Sequence, residues 1–255
     1  MKQFLSKPLY LISAGIIVIV IILGVTLSVK NANDQASVKK ADEIAATYQP
    51  DITDYSKLAN EEIKTQIAKV NSEQTAKEFA NVVTAKIKAI PALGSVDVYG
   101  AEHSEAYKKA AASKDQLTAL YQDLAKYAGG ELAITYAFAD SVQGLLNMKV
   151  NDYIGGGAVM DGSPVREKLI PAYQAALDKF KNVQVPKGQE ELAKNTTTTY
   201  TNFIVAANDA AKKLDAHESF SFDFSEQFAT LQNQLNTLKT TTQANFMTAV
   251  QKATK

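Results

Sequence analysis

The feature that most constrains this sequence is a run of 21 uncharged, mostly apolar residues at 9–29, LYLISAGIIVIVIILGVTLSV. A helix of this length rises about 30 Å, which matches the hydrocarbon core of a bilayer. Lys2 and Lys7 precede the run, and Tyr10 lies near its start, where aromatic side chains favour the headgroup level. We therefore predict a transmembrane anchor at 9–29, with residues 1–8 in the cytoplasm and the remaining chain outside it.

A cleaved signal peptide is the alternative interpretation of the same run. The apolar part of a signal peptide is usually about 7–15 residues long and ends at a site made of small residues. Here the run is longer, and a site ending at Ala32 would place Lys30 at the −3 position. No second run of this kind follows, so the sequence predicts a single-pass protein of the cell membrane.

The composition excludes several kinds of chemistry. The chain of 255 residues has no cysteine and two histidines, which excludes disulfides, a thiol nucleophile and cysteine zinc sites. Arg166 is the only arginine, and the chain beyond residue 30 has an excess of three acids. Such a surface does not attract nucleic acid. We predict no nucleic-acid partner, no cofactor, no metal and no enzymatic activity.

Helical periodicity dominates the chain beyond the anchor. We predict a polar stalk at 30–57, which is partly helical up to Pro50. A bundle domain at 58–255 follows it. The predicted helices cover about 58–90, 104–127, 131–153, 163–182, 189–214 and 224–249. The fold class is therefore all-α, an antiparallel bundle of about five to six helices. A helical-repeat solenoid is the weaker alternative, since no constant period is present.

Prolines and glycines set the predicted boundaries between these helices. Pro91 ends the first helix, and 91–100 reads as a loop with one extended segment. Gly129 and Gly130 are predicted to end one helix and to separate it from the next. Pro171 lies inside the fourth helix, where it either kinks the helix or moves its start past the proline.

One glycine-rich loop is the first place to look for a ligand site. Gly155, Gly156, Gly157 and Asp161 precede a helix, and such loops can hold an anion at the helix N-terminus. The loop lacks the lysine and hydroxyl pair of a P-loop. The alternative is a flexible connection built from residues that tolerate positive φ.

Histidines and aromatic residues supply the other candidates. His103 and His217 have carboxylates nearby, so they would form a metal site only if the fold brings them together. Phe220, Phe222 and Phe224 alternate in an extended connector, and we expect them to seal one end of the bundle rather than to form a partner-binding patch.

Tyrosines recur along the predicted helical stripes, and we expect them at the edges of the core rather than around a pocket.

Three hypotheses for function follow from these observations. The first is a membrane-anchored interaction module outside the cytoplasm, with a protein or small-ligand partner. The second is an accessory subunit of a membrane complex, in which the anchor packs on other membrane helices. The third is a metal-dependent enzyme, which requires His103 and His217 to converge with carboxylates.

Overall fold

A computed structural model describes residues 7–155, 161–219 and 223–255, with side chains from Val29 onward. The predicted all-α class is confirmed, because these residues form helices and loops and contain no strand. The helices are α1 (Lys7–Gln66), α2 (Glu73–Lys88), α3 (Val98–His103), α4 (Glu105–Tyr127), α5 (Ala133–Leu146), α6 (Asn151–Ile154), α7 (Ile170–Lys181), α8 (Glu190–Asp215) and α9 (Ser225–Ala253). Two π-helical segments also occur, at Ala128–Leu132 and Val165–Leu169.

Helix α1 continues where the sequence predicts an end. Pro50 lies inside it, although proline removes one helical hydrogen bond. Burial explains the continuity, because four apolar side chains at steps of four, three and four residues are buried on one face: Ala41, Ala45, Tyr48 and Ile52. Residues 30–57, which their polar composition led us to interpret as a stalk, therefore form a helix with a packed side.

The first predicted helix of the body, 58–90, is two helices in the structure. α1 ends in a 3-10 turn at Ile67–Lys69, and α2 begins at Glu73. Ser72 and Thr75 form a reciprocal cap at this start: Ser72 Oγ accepts from the Thr75 N–H at 3.2 Å, and Thr75 Oγ1 accepts from the Ser72 N–H at 2.9 Å. Side-chain caps of this kind satisfy amide groups that a new helix leaves unpaired.

The break predicted at Gly129 and Gly130 is wrong. The chain continues from α4 to α5 through the π-helix Ala128–Leu132. A Cβ atom at Gly129 would lie 3.2 Å from Cβ of Ala80 in α2, so the missing side chain permits close packing of two helical segments. Glycine at position 129 therefore allows a close tertiary contact, which helix propensity alone does not reveal.

Pro171 is accommodated by the second π-helix. In a regular α-helix its ring would clash with the carbonyl of Glu167, four residues earlier. The π-helix Val165–Leu169 includes Glu167 and widens the turn there. The helical turns begin at Ser163, as predicted, and α7 then runs on to Lys181.

The chain divides into two compact units. Unit 1 consists of Met1–Leu58 and Ala89–Ala119, and unit 2 of Ala59–Lys88 and Leu120–Lys255. In unit 1, α1 and the start of α4 run in the same direction: Ser104 Oγ donates to Asp42 at 2.5 Å, and burial together with the Asp115 carboxylate raises the pKa of Tyr48. α2 and α3 lie between these two helices in sequence, so this parallel pair leaves the antiparallel arrangement of successive helices a prediction.

Unit 2 is a helical bundle with α5 at its centre. α5 packs against α2, α7 and α9, and α8 packs against α7 and α9. Its largest fully buried side chains are aromatic: Tyr121, Tyr173, Tyr200, Phe138, Phe203 and Phe246. Interior packing of this kind replaces the disulfides that a chain without cysteine lacks.

Among the residues that the structure describes, no helix combines the length and the apolar character that crossing a membrane requires. The structure therefore gives the predicted anchor at 9–29 no support. The structure describes side chains only from Val29 onward, so the side chains of residues 9–28 are not among those described.

Candidate functional site

The structure describes two residues of the predicted glycine-rich site. Gly155 ends α6 with a positive φ of 78°, which glycine adopts without steric cost. Asp161 is exposed, and its Oδ1 accepts a hydrogen bond of 2.8 Å from the N–H of Ser163. Gly156 and Gly157 lie outside the described residues, so the structure leaves the predicted site untested.

The end of this loop is clamped to α8. Gly162 N–H donates to Asp215 Oδ1 at 2.8 Å, and Arg166 donates to Asp215 Oδ2 at 2.6 Å. A Cβ atom at Gly162 would lie 2.3 Å from the carbonyl oxygen of Ala211, so only glycine fits there. The only arginine of the chain thus forms an ion pair within the protein, which the sequence did not reveal because its partner is 49 residues away.

The clamp makes stability depend on pH. The Arg166 hydrogen bond, and then the Gly162 N–H, lower the pKa of Asp215 below its ordinary value. A lowered pKa in the folded state stabilises the protein above the unfolded pKa, and this contribution disappears as the pH falls through the folded pKa. We therefore expect Asp215→Asn to lower the thermal midpoint at pH 7, with the difference shrinking as the pH is lowered from about 4 to 2.

Circular dichroism melts of both proteins across this range measure the effect. Asp209→Asn is the matched control, because Asp209 lies in the same helix and pairs with Lys212, a local partner three residues away. A difference between wild type and Asp215→Asn that stays constant down to pH 2 would contradict the assigned role of the carboxylate.

The aromatic side chains around Tyr173 pack against one another in unit 2. Tyr173 lies 4.5 Å from Phe203 between ring centroids, and its hydroxyl donates to the carbonyl of Met148 at 2.9 Å. Burial raises the pKa of Tyr173 to about 12. Phe224 is half-buried with its ring 5.4 Å from that of Phe203, while Phe220 and Phe222 lie outside the described residues. Phe224, the described aromatic residue of the connector, therefore packs on the core.

The two histidines have local partners. His103 stacks on Tyr99 at 3.9 Å between ring centroids, and its Nδ1 lies 2.9 Å from the Tyr99 carbonyl oxygen. His217 has a φ of 54° and ends α8 in a Schellman motif, in which the N–H of Glu218 reaches the carbonyl of Lys213 at 2.8 Å. Within the described residues no group of three or more His, Asp or Glu side chains is arranged to hold a metal.

Two open grooves follow α1 within unit 1, beside the segment that the sequence predicts as a stalk. The larger has a volume of about 500 Å³ and is lined by Lys40, Glu43, Ile44, Thr47, Tyr48, Asp51, Ala92 and Gly94. The second has a volume of about 350 Å³ and is lined by Asn31, Asp34, Gln35, Val38, Lys39, Asp42 and Tyr99. Sequence reasoning missed both, although the helical spacing of the buried residues of α1 is a signal that could have found the packed face.

Comparison with protein-family models, curated proteins and solved structures returned no match for this chain.

Proposed function

We propose that this protein is a membrane-anchored interaction module whose body lies outside the cytoplasm. The support for the anchor is the uncharged run at 9–29 with the lysines that precede it. The observation that carries the proposal is the extent of α1, since one helix contains this run and also lines both grooves of unit 1. No cofactor and no enzymatic activity are part of the proposal.

The larger groove is the proposed contact surface for a protein partner. Sites for small molecules are enclosed and mostly apolar, whereas this groove is open and extends over three turns of α1. Its lining includes the base Lys40 and the acids Glu43 and Asp51, with Ile44 between them. An apolar residue such as Ile44 with charged side chains around it matches the apolar centre and polar rim of contacts between proteins.

A photo-crosslinking amino acid at Thr47 of the full chain tests the proposal in intact cells. We expect irradiation to give one discrete adduct that stays in membranes washed with alkaline carbonate. Protease added to the outside of protoplasts should digest that adduct, because the body is proposed to be external.

The matched control is the same amino acid at Gln49, an exposed position about 200° around the same helix. It should give no such adduct, and Asp51→Lys should abolish the adduct formed at Thr47. Equal adducts at both positions would contradict the groove. Release by carbonate would contradict the anchor, and resistance to protease would contradict the orientation. Adducts formed only from positions within the anchor, such as Ser13 or Gly24, would instead favour an accessory subunit.

A further inference from the structure

A further groove lies in unit 2, where the loop between α7 and α8 meets both helices. It is open to solvent, has a volume of about 290 Å³ and is lined by Phe180, Lys181, Val183, Val185, Ala193, Lys194, Thr197 and Thr198. The first two of these residues end α7, the two valines belong to the loop, and the other four lie in the first three turns of α8. The groove is therefore separate from the grooves along α1.

The groove has an apolar part that joins the core of unit 2. Phe180 is 4% exposed, and its ring lies 5.7 Å from that of Phe138 in α5. Val183 is half-buried against the same core, whereas Val185 is 40% exposed. A partner side chain that covers Val185 would therefore remove apolar surface from water.

Both charged side chains that line this groove are lysines, whereas the grooves of unit 1 include acids in their linings. Glu190 and Glu191 precede Lys194 by four and three residues, a spacing that favours ion pairs along a helix. Glu190 instead accepts a hydrogen bond of 3.1 Å from the N–H of Gly188. Among the residues that the structure describes, Lys194 has no ion-pair partner, so its charge is available to a ligand.

The second lysine, Lys181, has a distant partner. Its ammonium lies 3.8 Å from Asp178 Oδ1, which is beyond hydrogen-bond distance, and both side chains are about half exposed. The same Asp178 oxygen accepts a hydrogen bond of 2.9 Å from the amide of Gln174. Exposed ion pairs of this kind contribute little to stability, so Lys181 can exchange this contact for one with a ligand. The two lysines together make the groove complementary to carboxylates.

The loop beside the lysines provides main-chain groups that a peptide can use. The N–H groups of Gln184 and Val185 make no hydrogen bond with another residue in the described part of the chain. Pro186 follows them, and proline favours an extended backbone at the residue before it. An extended segment with available donors can pair with the main chain of a peptide, which favours a peptide over a small anion as the ligand.

We propose that this groove binds an extended acidic peptide of a partner protein, in which an apolar residue is flanked by carboxylates. The apolar side chain contacts Phe180 and Val185. The carboxylates pair with Lys181 and Lys194, and the peptide backbone follows the loop at Val185. This surface lies in unit 2, so the inference does not depend on the proposed function.

Fluorescence anisotropy with the full chain in detergent micelles tests this inference. The probe is a labelled peptide with one valine between two pairs of glutamates, in buffer of low ionic strength. We expect saturable binding that the double variant Lys181→Gln, Lys194→Gln weakens about tenfold, because each partly exposed ion pair changes affinity by a few fold. Lys187→Gln is the matched control, since Lys187 lies on the same loop outside the groove and should change affinity less than about twofold.

A peptide with glutamine in place of glutamate needs no variant, so it decides the question even if a substituted chain misfolds. It should not bind, and Val185→Ser should weaken binding of the glutamate peptide about threefold. Equal affinity of the two peptides, or equal losses in Lys187→Gln and the double variant, would overturn the inference. Displacement of the peptide by inorganic phosphate at equal concentration would overturn it in favour of a general anion site. Displacement by micelles that contain phosphatidylglycerol would overturn it in favour of a lipid surface.

Discussion

Phe203→Ala lowers the free energy of unfolding by about 3–5 kcal/mol, the usual cost of removing a buried phenylalanine. The ring of Phe203 is 1% exposed and lies within 6 Å of three others, at 4.5 Å from Tyr173, 5.4 Å from Phe224 and 5.8 Å from Phe228. Truncation removes these contacts together and leaves a cavity between α7, α8 and α9. Urea unfolding of the full chain in detergent micelles, followed by circular dichroism, measures the loss.

Val205→Ala is the control for this prediction. Val205 lies two residues further along α8 and is 57% exposed, so its truncation should change the free energy of unfolding by less than about 0.5 kcal/mol. Equal losses in the two variants would show that the aromatic cluster does not stabilise unit 2.

Gly162→Ala lowers the free energy of unfolding by about 1–3 kcal/mol, because the added methyl group has no space. Its Cβ atom would lie 2.3 Å from the backbone oxygen of Ala211 and 2.5 Å from a guanidinium nitrogen of Arg166. Relief of this clash requires a shift of the loop away from α8, which also lengthens the hydrogen bond from Gly162 N–H to Asp215. The same urea experiment measures the effect.

Gly144→Ala is the matched control and should have the opposite sign. Gly144 is exposed inside α5, and a Cβ atom there would have no neighbour within 4 Å. Alanine in a helix interior is favoured over glycine by about 1 kcal/mol, so this variant should be more stable than the wild type. A Gly162→Ala protein as stable as the wild type would show that the clamp between the loop and α8 is not close-packed.

The helical periodicity was enough to predict α4 and α8, whose observed ends lie within one residue of the predicted ones. It failed at residues that are compatible both with the end of a helix and with its interior. Pro50 and Gly129 are common at helix ends, yet both lie within continuous helical segments here. The cost of such residues in a helix is about 1–3 kcal/mol, which buried side chains on the same helix can offset.

The candidate surfaces were less predictable than the helices. The sequence singled out Asp161 from its position in a glycine-rich loop, but it did not show that neighbouring Arg166 pairs with Asp215. It did not show the grooves of unit 1 either, since a polar segment with four buried residues resembles a linker in composition. Contacts between residues far apart in the chain depend on how helices pack, and periodicity carries no information about that.

The sequence by itself determined the helical class, the absence of thiol chemistry and the apolar run at 9–29, because each follows from residue type and local spacing. Only the tertiary structure decided which glycines permit close packing, which charges pair and where the open grooves lie. Local propensities differ by about 1 kcal/mol between most residues, whereas burial of a large side chain contributes about 1.5–3 kcal/mol. Packing therefore overrides propensity wherever the two disagree in this protein.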